Sequence, residues 1–180
     1  MKNNILNKTR CYLVGHMQYA DPGDWRDFVQ SSLKDSNIVF YNPLDKPFIS
    51  DIDENNNTRD FLNKKLEQGN FDYVHNHMSS IRRSDLNLVD RCDFVIAHIV
   101  PNVGSWGSTE EIVCANRMKK PAFISIEGGR SKVPLWLAGM IPPYYFFDNV
   151  EKIVDTIKEI DQGSRALDTT RWRLLEERYR

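Results

Sequence analysis

The chain has 180 residues and a mass of 21.0 kDa, enough for one domain with a full hydrophobic core and too little for two typical ones. Its 24 basic and 25 acidic residues leave a net charge of -1, with no long basic run before the last ten residues. That balance argues against a general nucleic-acid or membrane-surface binder and points to a small molecule, or another copy of the chain, as partner.

Cys11, Cys92 and Cys114 are widely spaced and set in apolar patterns, without a CxxC or a Cys/His metal spacing, and read as reduced core residues. The N-terminal "MKNNILNKTR" lacks the apolar stretch of a signal peptide, and no run approaches the ~20 apolar residues of a membrane span. A soluble, cytoplasmic protein is expected.

In chain order, "RCYLVG" at 10–15 reads as a strand buried on both faces, followed by a helix over 25–34 with Trp25, Phe28, Val29 and Leu33 at helical intervals. "NIVFYNP" predicts a second strand, stopped by Pro43. A polar insertion at about 45–75 contains a helix closed by Gly69. Ser79 and Ser80 predict a helix cap, with the helix running to Arg91; "HNH" at 75–77 then falls in the loop before it. "CDFVIAHIV" is the strongest strand signal, "PAFISI" and "YYFFD" the fourth and fifth. Helices are expected to about Lys119, over 133–141 and over 149–161. This alternation predicts an α/β fold: a five-stranded parallel sheet, doubly wound in the flavodoxin-like or Rossmann-like manner, over residues 1–161. Residues 162–180 read as a partly helical tail, whose arginines interleave with Trp172, Leu174 and Leu175 and suit a subunit contact better than nucleic acid. In such a fold ligands bind beyond the carboxyl ends of the strands, which selects loops 15–24, 41–47 and 98–109.

Glu110 and Glu111 open the helix after the third strand. With 100° per residue, Ala115 and Met118 fall within about 40° of Glu111, so Glu111 is centred on the apolar face. Glu110 falls on the flank beside Arg117. Asp85 is centred in the same way on its helix, within about 40° of Met78, Val89 and Ile81. A buried carboxylate is costly unless compensated, and the first turn of the helix is the expected compensation for Glu111. Two inward carboxylates suit a mechanism in which one attacks an anomeric carbon and the other handles proton or substrate. Pairing of Asp85 with Arg82 or Arg83 is the structural alternative. His98, ending the third strand, is expected in packing, and Tyr19, Trp25 and Trp106 in core, interface or base stacking.

"CYLVGHM", Trp25-Arg26, "NPLD" at 42–45, "SDLNLVDRCDFVIAHI" and "SWGSTEEIVCANRMKKPAFI" together resemble the nucleoside 2-deoxyribosyltransferase family, which includes 2'-deoxynucleoside 5'-monophosphate N-glycosidases. The resemblance spans about residues 10–150. It implies that Glu111, in register with Ser105 and Gly107, attacks C1' to form a glycosyl ester that a base or water resolves, with Asp85 assisting. It implies substrate contacts at Gly15, His16, Met17, Trp25, Asn42, Asp45, Asp93, Ser105 and Gly107, no metal or redox cofactor, and a homo-oligomer in which a neighbour completes each pocket. Gly15-His16 stands where the family has Gly-Pro or Gly-Ser, and Pro134 where a phosphate-binding serine is expected. A nucleotide-sequestering protein of the same fold and an NAD-type glycohydrolase are the alternatives.

Overall fold

The computed structural model describes residues 4–16, 25–45 and 56–172. Five parallel strands, β1 (Arg10–Gly15), β2 (Val39–Tyr41), β3 (Phe94–Ile99), β4 (Ala122–Ile126) and β5 (Phe146–Phe147), lie in the order β2-β1-β3-β4-β5. This is the flavodoxin-like winding, in which strand order reverses between β1 and β3. The two central strands are apolar runs buried on both faces, as a parallel sheet covered by helices requires. The edge strands are shorter than the apolar runs that suggested them, because an edge residue has a ladder partner on one side only.

Helices α3 (Phe71–Arg91) and α4 (Trp106–Arg117) pack together and against β1. Helices α1 (Trp25–Ser32) and α6 (Val150–Asp161) pack together, with α6 against β4 and β5. Helix α2 (Asn56–Glu67) leans on α3, and the short α5 (Leu135–Met140) lies between β4 and β5. Gly69 adopts φ +76° just beyond α2, the left-handed conformation that ends a helix cheaply for glycine.

One local expectation fails. Helix α3 begins at Phe71, so "HNH" is helical and Ser79 and Ser80 are interior; the Ser79 hydroxyl donates back to the Asn76 carbonyl at 3.1 Å instead of capping. Residues 162–172, the described part of the C-terminal tail, form turns that pack on the domain. Trp172 is buried against Phe94 and Phe123, Asp168 accepts from the hydroxyls of Tyr144 and Tyr145 at 2.9 and 3.1 Å, and Arg171 donates to Asn116 and to the Lys120 carbonyl.

The amino edge of the sheet is held by two cations. Arg10 donates from Nε and a terminal nitrogen to both oxygens of Asp93 at 3.0 and 2.9 Å, and its backbone N–H donates to Asp93 Oδ2 at 2.7 Å. The buried Lys120 ammonium donates to the carbonyls of Val89, Asp90 and Cys92 at 2.5, 2.8 and 2.7 Å, taking up carbonyls that the end of α3 leaves without helical partners. Desolvation pushes the Lys120 pKa below its ordinary value. Lys120→Met strands those carbonyls beneath an apolar side chain. It is expected to lower stability by about 3 kcal/mol and Tm by roughly 6–12 °C, measured by urea and thermal unfolding.

Candidate active site

Between β3 and α4 the chain crosses the carboxyl edge beside the reversal point. Ser105 caps α4: its Oγ accepts from the Ser108 N–H at 3.3 Å and donates to Ser108 Oγ at 2.7 Å. The next N–H groups belong to Trp106 and Gly107 and have no partner within the helix. A Cβ placed on Gly107 would meet nothing within 4 Å, so the space over this helix start is open.

Glu111 is the sixth residue of α4, about 8 Å along the helix and beyond the first turn where its compensation was expected. The compensating group comes from the sheet. Tyr12, on β1, donates its hydroxyl to Glu111 Oε1 at 2.9 Å, and the carboxylate is only 8% exposed. Sequence analysis passed over Tyr12. Its signal was a phenol in an otherwise apolar strand buried on both faces, since a buried Tyr hydroxyl nearly always has a polar partner.

Glu110 faces away. Its carboxylate is gripped by Arg82 of α3, with Nε donating to Oε2 at 2.7 Å and a terminal nitrogen to Oε1, rather than by Arg117. Arg82 holds the Glu110 carboxyl below its usual pKa. Arg82 thus joins α3 to α4, and Asp85 follows Arg82 by three residues on α3. Asp85 is half-buried, with Oδ1 shut off from solvent.

The remaining expected contacts divide by position. Gly15 ends β1 opposite His98 of β3, with the half-buried His16 next; both are at the carboxyl edge. Met17 lies outside the described residues. Asn42 and Asp45 follow β2 in a turn: Asn42 Oδ1 accepts from Leu44 N–H at 3.0 Å and its carbonyl from Asp45 N–H at 2.9 Å, leaving Asp45 exposed. Asp93 does not join them. It precedes β3 at the amino edge, about 16 Å from His98 along the strand, where it holds Arg10.

His98 Nδ1 is 2.9 Å from Ser125 Oγ, and its ring is 5.9 Å from that of Trp25. His98 and Trp25 line an open cleft of about 530 Å³ with Phe28, Glu127, Asp148, Asn149 and Glu151. Its lining includes neither Glu111 nor Asp85: His98 shares the α1 face with Gly15, whereas Tyr12 and Glu111 meet on the α4 face. Among the described residues no group of His, Cys, Asp and Glu side chains could hold a metal ion, and no helix is long and apolar enough to cross a membrane.

Fold and site together define a doubly wound α/β protein with a buried, hydroxyl-bound carboxylate on the helix next to the reversal point. The sequence matches no protein-family model and no curated protein. Among solved structures the chain is similar to a 2-deoxyribosyltransferase from the psychrotolerant bacterium Bacillus psychrosaccharolyticus, described as a biocatalyst for nucleoside synthesis. The likeness has a TM-score of 0.52 at 12% identity and covers 83% of this chain and 96% of that one. The two proteins share a fold, and the neighbour is an enzyme.

Removing the Tyr12 hydroxyl takes a hydrogen bond from a buried carboxylate. Tyr12→Phe is expected to lose about 1–3 kcal/mol in urea unfolding, and adding Glu111→Leu to it should recover most of that loss. The exposed Glu110→Gln change should alter stability by less than about 1 kcal/mol.

Proposed function

We propose that this protein cleaves the N-glycosidic bond of a 2'-deoxynucleoside or its 5'-monophosphate, with Glu111 as nucleophile and Asp85 assisting. The observation that carries the reading is the Tyr12–Glu111 hydrogen bond: a buried carboxylate on the apolar face of α4, positioned by a phenol of β1, beside the reversal point where this fold binds ligands. The shared fold of a 2-deoxyribosyltransferase supports it.

In the first step a Glu111 oxygen forms a bond to C1', and the C1'–N bond breaks with its electron pair leaving on the base nitrogen. Tyr12 keeps the carboxylate aimed, so little of the barrier is spent on orienting it. Asp85 receives the base and manages the proton that the departing nitrogen takes up. In the second step water or another base attacks C1', and the ester oxygen returns to Glu111 as carboxylate. The start of α4, with Ser105 and the open space over Gly107, would take the 5'-hydroxyl or phosphate. Gly15 and His16 would face the substrate from the end of β1, and Asn42 and Asp45 from the β2 turn.

A second copy completes the pocket in this reading. Leu135 and Trp136 of α5 are 91% and 81% exposed, and Trp106 at the start of α4 is 90% exposed, apolar side chains that a second copy could cover.

The test is incubation with deoxynucleosides and their monophosphates, with and without a free acceptor base. Wild type should release or exchange the base, and intact-mass analysis should show a deoxyribosyl or deoxyribosyl-phosphate adduct on Glu111. Glu111→Gln and Glu111→Ala should lose about 10⁴-fold or more in kcat, whereas Glu110→Gln stays within about threefold of wild type. Equal activity in Glu111→Ala, or no turnover by wild type, overturns the reading. Release of nicotinamide from NAD, with no action on deoxynucleosides, would assign the same carboxylate to a different glycoside.

A further inference from the structure

The most unusual side chain in the molecule is that of Arg26. It is 0% exposed, the largest of the fully buried residues, in a chain whose other arginines lie mainly at the surface. Burying a guanidinium is costly, and an apolar residue of similar volume would fill the space without that cost. Packing alone does not account for an arginine here.

Its surroundings include the end of β1. The guanidinium stacks on the ring of Trp25, 4.7 Å from the centroid, and a terminal nitrogen lies 3.5 Å from the His16 carbonyl oxygen, a distance at the outer limit of a hydrogen bond. Gly15 makes the approach possible. A Cβ there would stand 3.0 Å from the Arg26 nitrogen, 3.1 Å from the Trp25 ring and 3.3 Å from the His98 carbonyl oxygen, closer than real Cβ atoms ordinarily come. Trp25 in turn lies against His98, which bonds Ser125 of β4. The end of β1 is thus pinned to the α1 face by a planar cation that reaches it only because residue 15 lacks a side chain.

We infer that Arg26 is a positioning residue: it fixes the Gly15–His16 turn at the end of β1, and through that turn sets how tightly the site holds its substrate. The second half rests on the function proposed above; the first does not. Arg26 acts on the face opposite Glu111 and does not touch the reacting atoms, so its loss alters binding more than the chemical step.

Two variants and two measurements test this. Arg26→Lys keeps the charge and loses the planar fork, and Arg26→Met keeps the bulk and loses both. Amide exchange at residues 15–16 should quicken about tenfold or more in Arg26→Met and less in Arg26→Lys, with β3 residues 94–99 still protected. KM for the deoxynucleoside or monophosphate that wild type turns over should rise about tenfold in Arg26→Met and partly recover in Arg26→Lys, with kcat within about twofold. Gly15→Ala should reproduce the KM rise, and combining it with Arg26→Met should add little, since both break one contact. Exchange that quickens equally across β1 and β3, or a KM that stays at the wild-type value, overturns the assignment. If wild type turns over no deoxynucleoside, the proposed function falls, and the exchange measurement alone decides whether Arg26 holds the turn.

Discussion

The contact between Arg10 and Asp93 sets the height at which the two central strands meet. Asp93 takes the Arg10 backbone N–H as well as its guanidinium, so the carboxylate reads the position of β1 along β3 and not merely the presence of a positive charge. Because strand faces alternate, a slip of one residue would turn Tyr12 to the α1 face and bring a different residue opposite His98. Arg10 is substantially exposed, which keeps its contribution to stability modest. Its importance is geometric: the Tyr12–Glu111 bond and the Gly15 approach to Arg26 both follow from this register.

From that register the adjacent glutamates acquire opposite surroundings. Successive residues on a helix differ by about 100°, so one carboxylate meets the sheet and the other the neighbouring helix. Glu110 is bound on both oxygens by a guanidinium and has little freedom to react. Glu111 accepts from the neutral Tyr12 hydroxyl and is screened from bulk water, which suits an aimed nucleophile.

Much of this was legible from residue order. The central strands announced themselves as apolar runs, α6 by its one-sided Val and Ile spacing, and the inward direction of Glu111 by helical periodicity. What was hidden is what depends on distant residues or on height within the fold. Tyr12 and Glu111 are 99 positions apart, and nothing local links them. Asp93 was expected at the site from the resemblance alone; its place just before the third strand already put it at the amino edge, away from the ligand side, but nothing local announced Arg10 as its partner. Ser79 and Ser80 carry the signature of a cap, yet a serine hydroxyl can also bond back within a continuing helix, and α3 runs through them. Trp172 suggested a subunit contact because its aromatic partners, Phe94 and Phe123, lie far away in sequence.

The ends of the described chain share a neighbourhood. The N–H groups of Ile5 and Leu6 donate to the carbonyl and the carboxylate of Asp161, the last residue of α6, and Trp172 closes over the first residues of β3 and β4. Both ends of the described chain therefore lie at the amino edge, about 20 Å, the length of a central strand, from the carboxyl edge. A label or tether carried by an exposed residue of this neighbourhood, such as Ser164 just beyond α6, would sit below the sheet and leave the opposite rim clear.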